Sequence, residues 1–352
     1  MNTKSALIGT AVLLVLGAPL AAQGQSLDFQ QEPACQTLTT ASMGGPAPRS
    51  ENLLVLRYLG SANYEVAYRD TVLLLNAHYA RVYPARSLGF TPDEVTKATA
   101  ILIGHGHGDH MSDAPSVAKR TGAMVVGAPI TATQARAMGV DGEQIIEVTG
   151  RGLATEVHTF GAVTVEPMLA RHGNGSASMR DVTGPAFRAL MEATGRTRTP
   201  AQQEEARAAQ QGSRDPGITE EGTISYLLTF DNDFRLIFRD TSGVDSTGSG
   251  TEAERRVMER IGRTDVAIVS YSILVPEAQV TTMPLTKLYN PDVFLPAHHD
   301  QVGGGRLDTP MEPLFLKLRD EMPNIRAISP LYRTPVCFDT KTKAVHVGDM
   351  AR

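Results

Sequence analysis

The stretch Ile101-Leu102-Ile103-Gly104-His105-Gly106-His107-Gly108-Asp109-His110 decides the fold. Its apolar start reads as a buried strand that stops at Gly104. Three imidazoles and one carboxylate follow within six residues. His105 and His107 lie two apart, so an extended backbone points both side chains the same way. Gly106 and Gly108 let the chain turn tightly and bring up Asp109 and His110. Two adjacent ligand sets result, not one. Imidazole suits zinc, copper, iron and nickel, whereas a carboxylate admits harder ions. The competing reading is a chance cluster, since the chain holds nine histidines. Four coordinating groups at the end of a buried strand would be costly to desolvate without a cation. The stretch is read as a metal loop.

Other strands end in the same way. The apolar run 163–169 leads into Ala170-Arg171-His172-Gly173, and 235–238 leads into Arg239-Asp240-Thr241. A third run, Pro291 to Ala297, ends in His298-His299-Asp300. His172, Asp240 and His298 thus become candidate ligands at strand ends. For Asp240 taken alone, a turn or N-cap aspartate is an equal reading.

Upstream, short strands at 53–58, 64–68 and 71–75 predict an antiparallel meander. Thr91-Pro92-Asp93-Glu94 predicts a helix start with a capping box, and a second box stands at Thr251 and Glu254. Helices are expected at 114–121, 131–138, 251–261, 282–289 and 310–321. Further strands are expected at 124–127, 144–148, 156–160, 223–230 and 265–271, and near Val336 and Val345. Strand runs followed by helices imply two packed sheets with helices outside. The segment 175–221 interrupts this pattern as a helical insertion. Phe187, Leu190 and Met191 share a helical face there, and a polar helix follows at 201–211. The insertion is expected to fold over the metal loop as a lid, with those three residues packing on the body or, as the alternative, lining the pocket.

The chain has 352 residues and 41% hydrophobic content, enough for a large core over one domain at 51–352. A net charge of −5 and the lack of any basic block argue against nucleic-acid binding. Lys4, the apolar run 6–18 and Leu20-Ala21-Ala22 read as a cleavable signal peptide over 1–22, with an uncleaved anchor as the alternative. The expectation is a periplasmic or secreted protein without stable membrane insertion after cleavage. Residues 23–50 read as an N-terminal extended segment. Cys35 and Cys337 are read as a disulfide pinning that segment to a late strand, with two buried thiols as the alternative.

From about Leu53 to His298 the chain resembles the metallo-β-lactamase superfamily. The likeness is greatest to its small metal-dependent hydrolases and the ascorbate-6-phosphate lactonase branch. It rests on residues 104–113, on Ala118-Lys119-Arg120-Thr121-Gly122-Ala123, on Phe160-Gly161-Ala162-Val163-Thr164-Val165 before His172, and on Leu295-Pro296-Ala297-His298. The resemblance implies an α/β fold, a four-layer αββα sandwich with a metal centre at one edge. It implies that His105, His107 and His172 hold one divalent cation, that Asp109, His110 and His298 hold a second, and that Asp240 bridges both. His299 falls where the family has a non-ligand residue. His78 and His158 are read as core or surface residues, and His346 as structural.

Three positions depart from the family pattern: Arg239 stands for a glycine, Ser61 for a histidine and Asn76 for an aspartate. The implied chemistry is a metallo-hydrolase using a hydroxide between two cations, zinc first, with iron or manganese as alternatives. Asp109 is the candidate for orienting the nucleophile or passing a proton. A small-molecule ester or lactone is the expected substrate, ahead of a phosphodiester or β-lactam. Arg171 and Arg239 adjoin ligands and read equally as anchors for an anionic group or as salt-bridge residues. The alternative class is a non-hydrolytic metal binder or a di-iron redox protein.

Overall fold

Strands β1 (Leu53–Tyr58), β2 (Tyr64–Tyr68) and β3 (Thr71–Leu75) form the expected antiparallel meander. In this computed structural model, residues 27–81, 85–173, 221–271, 278–300 and 310–348 are described, with 185–218 described in part. The signal segment 1–22, Phe187 and Leu190 lie outside the described residues. Within the insertion, Pro200–Ala209 is helical and Met191 is buried.

After the meander the chain switches to parallel pairing. β4 (Ala100–Leu102), β5 (Met124–Gly127) and β6 (Ile145–Glu147) continue from β3. Helices Ala114–Thr121 and Pro129–Ala137 make the crossovers that parallel strands require. On the other edge β14 (Pro335–Asp339) pairs with β1, and β15 (Val345–Val347) with β14. Among the described residues the first sheet therefore has eight strands.

The second sheet has seven, β7 (His158–Phe160), β8 (Val163–Leu169), β9 (Ile224–Thr229), β10 (Arg235–Arg239), β11 (Val266–Ser270), β12 (Val293–Ala297) and β13 (Arg326–Ala327). It is antiparallel from β7 to β10 and parallel from β10 to β13.

Leu54, Leu56, Tyr226, Phe238 and Leu295 belong to one buried cluster between the two sheets. The outer face of the first sheet packs Val55 and Ile101 against Val117 and Ala135 of its helices. The outer face of the second packs Ile237 and Val269 against Val257, Leu285 and Leu314. Those three come from helices Glu252–Ile261, Ala278–Tyr289 and Glu312–Glu321. Both faces of both sheets are covered, which explains why the strands read as nearly continuous apolar runs. The architecture is the αββα sandwich.

Two expectations need correction. The capping box at Thr91 forms, but its helix is a single 3-10 turn, Pro92–Glu94. The Ser42 carbonyl takes the amides of Thr96 and Lys97 at 2.8 and 3.0 Å, which diverts the chain from helical bonding. The leader is not purely extended either. It carries three 3-10 turns, Phe29–Gln31, Pro33–Cys35 and Ala41–Met43.

These turns cover a buried ion pair. Arg57 on β1 and Glu65 on β2 lie 3.2 Å apart with no solvent exposure. Glu65 accepts from the amides of Ala41 and Ser42 at 3.0 and 2.7 Å, and Arg57 donates to the Ala34 carbonyl. Cys35 and Cys337 form a disulfide across this contact, with Cα atoms 6.1 Å apart. Among the described residues no helix is long and apolar enough to cross a membrane.

The bridge closes a very long loop, so its loss should destabilise the fold by about 2–5 kcal/mol. Urea unfolding of the Cys35→Ala/Cys337→Ala variant should show that loss. An unchanged midpoint would mean that the hydrogen bonds to Glu65 alone hold the leader.

Candidate metal centre

Four strand ends build the site, and each is tied in place by backbone contacts. Gly104, just after β4, donates its amide to Asn76 Oδ1 at 2.9 Å, and its carbonyl accepts from Ile224 at 2.7 Å. A Cβ on Gly104 would lie 2.1 Å from an Asp240 carboxylate oxygen, so only glycine lets that carboxylate approach. His105 follows directly. His107 precedes the short helix Gly108–Met111, and its carbonyl accepts from the His110 amide at 3.0 Å. That turn swings Asp109 and His110 back towards His105.

His172 leaves β8, and its loop is stitched to the Asp240 loop. Arg171 bridges Gly243, and the Gly173 amide donates to Thr241 Oγ1 at 3.0 Å. His298 leaves β12 in the left-handed region, with φ at 62°. Its amide donates to the Ser61 carbonyl at 2.7 Å.

All seven sequence-derived candidates come together. Three overlapping groups have candidate ligand atoms within 4.8 Å of one another: His105, His107 and His172; His105, His110 and Asp240; Asp109, His110 and His298. Asp240 Oδ2 lies 2.9 Å from His105 Nδ1 and 3.0 Å from His110 Nδ1, so the carboxylate sits between the two histidine sets. Asp109 Oδ2 lies 3.2 Å from His298 Nε2 and 3.7 Å from His110 Nε2. The ring of His172 stands 4.7 Å from those of both His105 and His107.

The donor set fits divalent cations. Asp240 Oδ1, His172 Nδ1 and His298 Nδ1 are buried without a hydrogen-bond partner among the described residues. Buried polar atoms rarely stay unpaired, and such exceptions point to a missing ion or water. Crowded ring nitrogens beside a buried carboxylate are the nitrogen and oxygen donors that zinc, iron and manganese accept.

Electrostatics favour the metal-ready protonation state at His105, His172 and Asp240, whereas the Asp109 carboxylate outweighs burial at His298 and holds its imidazole above the usual value. Burial holds the His105 imidazole well below its usual value and lowers His172 to about 4. Burial alone would raise the Asp240 carboxyl, but His105 and His110 overcome it and keep the group well below the carboxylate range. At neutral pH His105 and His172 are uncharged and Asp240 is ionised, as ligands must be. His105, His110 and Asp240 are buried, whereas the Asp109 and His298 side chains are 30% and 21% exposed. His107 and His172 are likewise only partly buried, so the site opens on both histidine sets.

The supporting residues carry a signal that the sequence reading caught only in part. Asn76, noted as a departure from the family pattern, donates to Asp240 Oδ2 at 3.1 Å and lies 2.8 Å from His110 Nδ1. An aspartate there would face Asp240 with a like charge. Ser61, the second departure, receives the His298 amide and donates its hydroxyl to the Asp109 carbonyl at 3.1 Å.

Asp300 was not singled out, yet it anchors Ser61. It accepts from the Ser61 amide at 2.9 Å, pairs with Arg81 at 2.9 Å and bonds the Tyr332 hydroxyl. The Asp300–Ser61–His298 chain thus holds a ligand in an unfavourable backbone conformation, the kind of strain that surrounding structure must impose.

Arg239 is not a substrate anchor. It is fully buried, pairs with Glu254 at 2.9 Å, and donates to the carbonyls of Arg171 and Gly243. It braces the His172 loop instead. Arg171 is exposed. His299 is outside the ligand groups and stacks on Tyr58 with ring centroids 4.8 Å apart. His78 lies 2.8 Å from the Ser112 hydroxyl, and His346 stacks on Phe29. His158 lies on β7.

No family model matches the chain. Among curated proteins it is 34% identical over 95 residues to a UPF0173 metal-dependent hydrolase of Methanopyrus kandleri, covering 27% of this chain and 40% of that one. It is 31% identical over 135 residues to one of Cereibacter sphaeroides, covering 38% and 53%. The chain thus spans about half or less of the length of these relatives.

Two solved structures share the fold at 14% identity. A metallo hydrolase from Ignicoccus hospitalis superposes with a TM-score of 0.52 over 81% of this chain and 98% of that one. A diiron β-hydroxylase from Streptomyces venezuelae gives 0.52 over 83% and 55%.

Two outcomes follow for the centre. Asp300→Asn should weaken cation binding at the Asp109/His110/His298 set by about 10–100-fold, read by metal titration, because it loosens Ser61 and His298. Unchanged affinity would show that Ser61 needs no anchor. In chelator, stability should be full above pH 6.5 and fall as pH drops towards 4. The unfolded chain takes up protons in that window that folded His172 and His299, both lowered to about 4, refuse. A melting temperature flat across the window would contradict this.

Proposed function

Because this chain has the αββα fold of the metallo-β-lactamase superfamily, we propose that it is an exported metal-dependent hydrolase of small esters or lactones. One observation carries the reading: five imidazoles and two carboxylates from separate strand ends converge in three overlapping ligand groups. Two divalent cations, zinc in the first instance, would supply Lewis acidity there, acidifying water towards a pKa of about 7 and polarising the electrophile. His105, His107 and His172 would hold one, and Asp109, His110 and His298 the other, with Asp240 between them.

The remaining work falls to the chain itself. Asp109 is partly exposed and bonded to His298, so a substrate can reach its carboxylate. The neighbouring His110 and His298 overcome its burial and hold it well below the carboxylate range, so it is ionised at neutral pH. It accepts a hydrogen bond from the attacking water, orients it, and passes the proton towards the leaving oxygen. Asn76 and Gly104 keep the buried end of the site in place, with Asn76 donating to the Asp240 carboxylate.

An ester or lactone is placed ahead of a phosphodiester because the buried guanidinium beside the site, Arg239, is committed to Glu254, which leaves only the exposed Arg171 next to His172 as a cation for an anionic group. Export is supported by the signal-like segment at 1–22 and by the Cys35–Cys337 disulfide, which suits an oxidising compartment.

The test is a screen of zinc-loaded protein against lactones, esters, phosphodiesters and β-lactams, with metal analysis alongside. Ester or lactone turnover should fall by about 100-fold or more in Asp240→Ala. Bound iron with oxygen consumption and no hydrolysis would replace this reading with a redox one.

A further inference from the structure

Asn76 does more than fill space beside Asp240. Its side chain has no solvent exposure, and chemistry fixes which end of its amide points where. The Gly104 amide can only donate, so the atom 2.9 Å from it is the Asn76 carbonyl oxygen. The amide nitrogen, Nδ2, therefore points the other way. It has hydrogens to give and no lone pair to offer.

That nitrogen meets two candidate ligands at once. Asn76 Nδ2, His110 Nδ1 and Asp240 Oδ2 form a triangle with sides of 2.8, 3.0 and 3.1 Å. Two nitrogens 2.8 Å apart are at hydrogen-bond distance, so one donates and the other accepts. Because Nδ2 has nothing to accept with, His110 Nδ1 is the acceptor. In an uncharged ring the one hydrogen then sits on Nε2. His105 shows the opposite pattern. Its Nδ1 lies 2.9 Å from the same carboxylate oxygen, an acceptor only, so Nδ1 carries the hydrogen and Nε2 keeps its lone pair.

His110 Nε2 is the nitrogen on the Asp109 side, 3.7 Å from that carboxylate. A cation held there needs the Nε2 lone pair. The hydrogen must first move to Nδ1, where it would face the Asn76 amide hydrogens.

We propose that Asn76 is a positioning residue that holds His110 in the tautomer unsuited to the second cation, and so keeps the Asp109, His110 and His298 set weakly binding and exchangeable. Only the place of one hydrogen is at issue, not the charge of the ring. The inference rests on the two-cation part of the reading above and not on hydrolysis.

Nitrogen-15 NMR of the metal-free full chain reads the tautomers directly, with His110→Gln identifying the ring signal. His110 should carry its hydrogen on Nε2 and His105 on Nδ1. In Asn76→Asp the new carboxylate still accepts from Gly104 and can also accept from His110 Nδ1, so His110 should switch to the His105 pattern. The backbone permits the change, because φ at position 76 is 59° and aspartate, like asparagine, tolerates that region.

Zinc titration followed on the same ring signals should fill the His105, His107 and His172 set first in the parent. In Asn76→Asp the later step should tighten by about 10–100-fold, the usual reach of such a supporting contact, while the first hardly moves. A hydrogen on His110 Nδ1 in the parent, a ring that does not switch in the variant, or an equal gain in both steps would overturn the proposal. The last would mean plain attraction to an added charge. If the variant does not fold, the tautomer in the parent decides alone. Two zinc ions bound in these unequal steps without turnover of any ester or lactone would sink the hydrolase reading and leave this result standing.

Discussion

A carboxylate with no solvent contact, Asp240, is the constraint around which the molecule is arranged. A buried charge is costly unless it is compensated by hydrogen bonds, opposite charge or metal. Here His105, His110 and Asn76 surround it within about 3 Å. These groups come from the first sheet, and Asp240 comes from the second. The two layers therefore meet at the charge as well as at their apolar faces. Gly104 makes the meeting possible by lacking a side chain, and the Tyr226 hydroxyl reinforces it by bonding the Ile103 carbonyl at 2.8 Å.

Around that charge the backbone is held in conformations that it would not choose. Ser61, Asn76 and His298 all have positive φ, at 53°, 59° and 62°. Each either touches a candidate ligand or is one. Their strain is offset by short-range bonds, Ser61 to Asp300, Asn76 to Gly104 and His298 to Ser61. Arg239 and Glu254 perform the same service on the His172 side with a buried ion pair. That pair joins strand β10 to the helix Glu252–Ile261, whereas Ser61, Asn76 and Asp300 work from turns and loops.

The candidate ligands were legible because their signal is local: an apolar run, then His or Asp, is visible in a few residues. The supports were not, because their partners are remote. Asp300 works through Ser61 and Arg81, which are 239 and 219 positions away. Arg239 invited a substrate role by adjacency, and only the fold reveals Glu254 beside it.

The two capping boxes make the same point. Thr251 opens a ten-residue helix, while Thr91 opens one turn because Ser42, from the leader, captures the amides that follow. Nothing near Thr91 in the sequence distinguishes them. The two-residue strand β13 was also missed, being too short to show a pattern.

The leader has a consequence for how the finished molecule is recognised. Cys35 and Cys337 are separated by 302 positions, so the bond joins one of the first described turns to nearly the last described strand. The turns over Arg57 and Glu65 can seat beforehand through hydrogen bonds alone. Sulfur chemistry then acts as a seal on completed synthesis. A chain interrupted before β14 keeps Cys35 as a lone thiol, and a thiol-reactive reagent can tell it from a whole one.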